Sequence, residues 1–155
     1  MIKIIIIIFL SLFLECNLSN YIPINTNLFN NFLTVTSLII ISKMLDKKNK
    51  FYILSIIVGL IYDLIFTNRL GFSVLMFFLT AVFIKNIDKI VKTHFKIIQY
   101  LVIFIFYRFI SYLILILTGY LSFNWLVILK AIYSSIIVNL IYIYILNLLF
   151  FKNHK

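Results

Sequence analysis

Proline occurs once and glycine three times in 155 residues, so the chain has little of the punctuation that turns and interdomain linkers need. A single cysteine, Cys16, excludes an internal disulfide, a multi-thiolate zinc cluster and a CxxC redox pair. Acidic residues number only four, and the two histidines, His94 and His154, have no carboxylate or thiol at ligand spacing, which argues against acid–base or metal chemistry. The glycines, Gly59, Gly71 and Gly119, are scattered and form neither GxxxxGK[ST] nor GxGxxG, so no phosphate cradle is legible. Nothing supports an enzyme, and no cofactor is expected.

What the chain does contain is apolar. Hydrophobic residues make up 65% and charged residues 12%, with a mean hydropathy of +1.17. A water-soluble domain is typically under half apolar with about a quarter of its residues charged, so the bilayer must hide the excess. The net charge of +10 comes from 14 Lys and Arg against four acids. In a soluble protein it would suggest a nucleic-acid footprint, but here the basic residues fill short gaps between apolar runs, as in loops facing an anionic cytoplasmic leaflet. The aromatic share of 18% accompanies many Ile, Asn, Lys and Tyr, a pattern of AT-rich coding, so single aromatics carry little weight.

Six apolar stretches are long enough to cross a hydrocarbon core of ~30 Å. They run over Ile2–Leu18, Leu28–Leu45, Phe51–Thr67, Leu70–Ile87, Ile97–Leu121 and Trp125–Phe151. Helices are predicted, since strict period-2 alternation, which a membrane barrel needs, is absent. The fold class expected is therefore an all-α bundle of six transmembrane helices forming one integral membrane domain over residues 1–155. Lys43, Lys47, Lys48 and Lys50 follow the second span, Lys85, Lys89, Lys92 and Lys96 follow the fourth, and Lys3, Lys152 and Lys155 are terminal. The opposite side, comprising Ser19–Asn27, Asn68–Arg69 and Gly119–Asn124, offers only Arg69, so both termini are predicted to be cytoplasmic. The first span follows Lys3 like a signal peptide, but no small-x-small cleavage site comes after it and Glu15 precedes Cys16 where a lipoprotein signal wants a small residue, so a retained helix is expected.

Four charged residues fall in the middle or outer half of these spans: Glu15, Asp63, Arg108 and Lys130. Each costs roughly 2.5–3.5 kcal/mol to insert. Two readings stand. In one the four form a neutral network with Asp63 and Arg108 as the pair; in the other Lys130 snorkels outward beside Trp125 and Glu15 is carried neutral. Small and polar residues also recur at helical spacing: Ser55, Gly59 and Asp63; Ala131, Ser135 and Asn139; Asn30, Thr34 and Ser37; Ser73, Phe77 and Ala81; Arg108, Ser111 and Tyr112. Within lipid such stripes are packing faces, because close approach and interhelical hydrogen bonds hold helices together there.

The segment Gly59-Leu-Ile-Tyr-Asp63-Leu-Ile-Phe-Thr-Asn-Arg-Leu-Gly71, after the lysine-rich loop, resembles the signature region of the rod shape-determining protein MreD family. There a Gly-x-x-x-Asp helix end runs into a short turn closed by Leu-Gly. The resemblance extends to the length, the six spans, an acid late in the first helix at Glu15 and a short basic tail. It implies a non-enzymatic scaffold of the bacterial elongation machinery in the cytoplasmic membrane. Such a scaffold binds the single-pass MreC and connects MreB filaments with the peptidoglycan synthases RodA and its class B penicillin-binding protein. The residues singled out for structure or partner binding are Glu15, Ser55, Gly59, Asp63, Gly71, Arg108 and Lys130. A six-helix arrangement is also similar to the substrate-binding subunits of energy-coupling-factor vitamin transporters. Their Ala-x-x-x-Ala docking surface has no counterpart here, where Ala81 and Ala131 are the only alanines.

Overall fold

The computed structural model describes residues 2–21, 32–67, 71–90 and 96–151, and among them every regular element is helical. Helix α1 covers Ile2–Tyr21, α2 Leu33–Met44, α3 Lys48–Tyr62, α4 Phe72–Ile90, α5 Lys96–Leu117 and α6 Trp125–Phe151. One π-helical turn, Asp63–Thr67, prolongs α3. Lys48–Thr67 and Lys96–Leu117 are each long and apolar enough to cross a membrane.

Helix α2 lies at the centre. Every residue from Leu33 to Ser42 is buried, because α2 packs against α1, α3, α4 and α6 together. Its stripe of Thr34 and Ser37 is therefore one part of an all-round buried surface, and Asn30 lies outside the described residues. The peripheral helices keep one apolar face outward, with Ile53, Ile57 and Leu64 exposed along α3 and its π turn, and Ile137, Ile141 and Leu149 along α6. That inversion of the soluble pattern suits a chain whose solvent is lipid.

The ends differ from the sequence expectation where capping decides them. Helix α1 continues through Tyr21, into the segment expected as a loop, and α2 opens only at Leu33, with Phe32 in a non-helical conformation before it. Helix α5 stops at Leu117 rather than Leu121. There the amide of Tyr120 bonds the carbonyl of Leu115 and that of Gly119 the carbonyl of Ile116, both at 2.9 Å, and Gly119 takes φ +75°. This is a Schellman motif, which satisfies carbonyls that the helix end would orphan. The following turn is pinned from α5, since Tyr112 donates to the Ser122 carbonyl at 3.0 Å and accepts from the Asn124 amide at 2.9 Å. Asn124 then caps α6 by accepting the Leu126 amide at 3.0 Å.

Mid-helix hydroxyls do less between helices than their stripes suggest. Ser37, Ser42, Ser55 and Thr80 donate to carbonyls of their own helices at 2.6, 2.8, 2.7 and 2.7 Å. With no water at hand, a short hydroxyl finds its nearest acceptor three or four residues back. Hydrogen bonds between helices include several near helix ends, and at mid-helix the hydroxyls of Ser11 of α1 and Tyr142 of α6 meet at 2.8 Å.

Candidate functional site

The hairpin of α3 and α4 is assembled by the stripe Ser55, Gly59 and Asp63, all buried. A Cβ on Gly59 would stand 2.7 Å from Val74 Cα and 2.9 Å from the Ser73 carbonyl oxygen. The α4 backbone thus rests directly on Gly59, an approach only glycine permits. One turn on, the Asp63 carboxylate reaches the start of α4. Its Oδ2 accepts the Gly71 amide at 2.8 Å, and its Oδ1 accepts the Ser73 amide at 2.9 Å and the Thr67 hydroxyl at 2.9 Å. These amides belong to the N-terminal turn of α4, where donors have no partner in their own helix and the peptide dipoles sum to positive charge. The π turn carries Thr67 back to the carboxylate, and Gly71 holds the entry to α4 at φ +102°, a conformation side chains resist.

Glu15 repeats this arrangement on α2. Its Oε2 accepts the Thr34 amide at 2.9 Å and the Thr34 hydroxyl at 2.5 Å, while the Tyr62 hydroxyl donates to Oε1 at 2.9 Å. Thr34 is the second residue of α2, so the acid of one helix again caps the next. Tyr62 directly precedes Asp63 and thereby couples the two capping centres.

Arg108 lies in the same region. Its guanidinium carbon is 3.3 Å from the centroid of the Phe32 ring, and Phe32 meets Tyr107 edge-on at 4.9 Å. Both carboxylate oxygens of Asp63 take backbone donors at the start of α4, and the Arg108 guanidinium stacks on the residue flanking α2. A helix terminus offers such an acid fixed donors and a favourable potential. Tyr62 completes the enclosure, against Phe66 at 4.5 Å and Phe77 at 5.2 Å. Lys130 lies in α6 with its side chain outside the described residues, as are the side chains of Ala131 and Ser135.

The opposite ends of the helices carry a basic counterpart. Lys85 of α4 donates to the carbonyls of Ser42 and Leu45 at 2.6 and 3.0 Å, capping the C-terminus of α2, and stands 5.3 Å from the Phe51 ring centroid. Lys43 bonds the Tyr100 hydroxyl and Gln99 bonds Asp88. The C-terminal ends of α2 and α4 and the N-terminal ends of α3 and α5 thus come together. No group of three or more His, Cys, Asp or Glu able to hold a metal occurs among the described residues.

This geometry explains each fixed element of the Gly59–Gly71 segment: the glycine that admits α4, the acid that caps it, the glycine that turns into it. The family model for rod shape-determining protein MreD matches residues 1–154. The chain belongs to the MreD family. No curated protein and no solved structure matches it. Membership in MreD carries a role in rod shape determination and, with the apolar helices, makes this a membrane protein of a structural family. Reading this MreD sequence alone gives Phe32 and Tyr62 no role, and marks Thr34 only as part of a packing stripe and Lys85 only as a loop-facing charge. The stripe Ser73, Phe77, Ala81 continues by one more step of four to Lys85, and Tyr62 adjoins Asp63, so both had a positional signal. Phe32 had none, and the stripe around Thr34 did not foretell a cap, since only the return of α2 beside Glu15 gives it that role.

Proposed function

We propose that this MreD-family chain is a six-pass subunit of the bacterial elongation machinery, a single integral domain of the cytoplasmic membrane with both termini inside the cell. It works as a scaffold without turnover. Its partners on this reading are MreC, which it binds, and through it MreB on one side and RodA with the class B penicillin-binding protein on the other. The observation that carries the reading is the α3–α4 hairpin, in which Gly59, Asp63 and Gly71 spend their chemistry on holding two helices rigidly together. A rigid helical pair with an outward apolar face supports a role in docking other membrane helices. The lysines at the joined ends of α2, α3, α4 and α5 support contact with anionic headgroups or a cytoplasmic partner.

Affinity capture from native membranes in mild detergent tests the proposal. Recovery of MreC and the synthases is the expected result, with cells rounding when the protein is depleted. Recovery of paired ATPases together with a vitamin requirement would replace the scaffold by a carrier subunit.

A further inference from the structure

Between α1 and α3 runs an apolar groove of about 830 Å³, which the described hydrogen bonds and packing leave unfilled. Ile4, Ile8 and Leu12 form one wall and Ile53, Ile57 and Ile61 the other, and Lys50 is the one charged residue in the lining. The two helices run parallel, being joined at one end by the Glu15–Tyr62 hydrogen bond. Lys50 sits in the first turn of α3, and the same end carries Lys3 in the first turn of α1. Both lysines are exposed. The entry and first turn of α3 hold Lys47, Lys48 and Lys50 against the single acid Asp46.

We infer that this groove is a binding site for one anionic phospholipid, its acyl chains lying between α1 and α3 and its phosphate on Lys50 with Lys3 beside it. Along α1 the lining runs from Ile4 to Cys16, a rise of about 18 Å at 1.5 Å per residue, close to the ~15 Å depth of one leaflet. A transmembrane helix about 10 Å wide and ~30 Å long fills roughly 2,400 Å³, well beyond the groove. An acyl chain is slender enough to enter, and the charge is placed at the end where a lipid of that leaflet keeps its phosphate. The alternative of a neutral lipid leaves Lys50 unmatched in an otherwise uncharged lining. The inference rests on the chain being embedded in a bilayer, as in the proposal above, though not on its role in shape.

Native mass spectrometry of the detergent-purified protein, titrated with phosphatidylglycerol and with phosphatidylcholine of identical chains, reads the site directly. Retention of phosphatidylglycerol is expected to exceed that of phosphatidylcholine, and Lys50→Gln to lower it about fivefold, the effect of one basic residue at a membrane surface. Ile57→Trp, at a position already 51% exposed, is expected to fill the groove and remove binding of both lipids while helicity by circular dichroism stays unchanged. Equal retention of the two lipids, or full binding by both variants, overturns the inference. So does a photo-crosslinker at residue 57 that captures a partner's helix in native membranes in place of lipid. Accessibility labelling of residue 48 tests the membrane arrangement separately, so a failed groove and a failed topology give different results.

Discussion

At Gly59 a single methyl group decides whether two helices can touch. With Val74 Cα 2.7 Å from where a Cβ would stand, backbone must move, and Gly59→Ala is expected to cost about 1–3 kcal/mol of overpacking strain. Thermal unfolding in detergent checks this, as a clear fall in Tm. Asp63→Ala leaves the Gly71 and Ser73 amides without their acceptor in an apolar setting, an expected loss of about 1–3 kcal/mol. Asp63→Asn retains one acceptor and is expected to fall between the two in Tm. Exchanging Asp63 and Arg108 is expected to be no better than the worse single change, because the partners of Asp63 are fixed amides of α4. A stability regained in the exchanged protein would show that the two charges pair. The sequence made these residues visible as costly groups at helical spacing, but it could not tell a side-chain partner from a helix terminus.

The helices hold one another by their ends. Helix α2 receives Glu15 at its N-terminus and Lys85 at its C-terminus, so its dipole is matched at both ends by side chains from α1 and α4. Removing one end of such a clamp should loosen α2 as a unit. Lys85→Met keeps the apolar stem and removes the donor, and faster amide hydrogen exchange over residues 39–45 is the expected outcome, with α6 unaffected. Glu15→Ala is expected to act on residues 33–36 instead. Protection that falls uniformly through the bundle would show that the two caps act on global stability only. The existence of six helices was legible from the length of their apolar runs. Their limits were legible only in part: α6 begins at Trp125 as expected, where Asn124 caps it, whereas the start of α2 depends on a carboxylate 19 residues away.

For the whole molecule, lysines at one set of helix ends and apolar faces around the periphery support a bundle set in the membrane with its basic end in the cytoplasm. Single cysteines at residue 48 and in the tail, introduced with Cys16 replaced, are expected to resist an impermeant thiol reagent added outside intact cells. A cysteine at residue 122, in the turn after α5, is expected to react. The reverse pattern would invert the protein and move its lysine-bearing loops away from any cytoplasmic partner.

Apolar content, charge segregation and the Gly59–Gly71 spacing were enough to establish a helical membrane chain and its kinship, because insertion into lipid depends on local composition summed along each helix. Which buried charge meets which donor was decided only in three dimensions. Hydrogen bonds from Thr34 to Glu15 and from Lys85 to the Ser42 carbonyl join residues that are remote in the chain, and a helix terminus becomes a partner for a charge only once packing has brought it there.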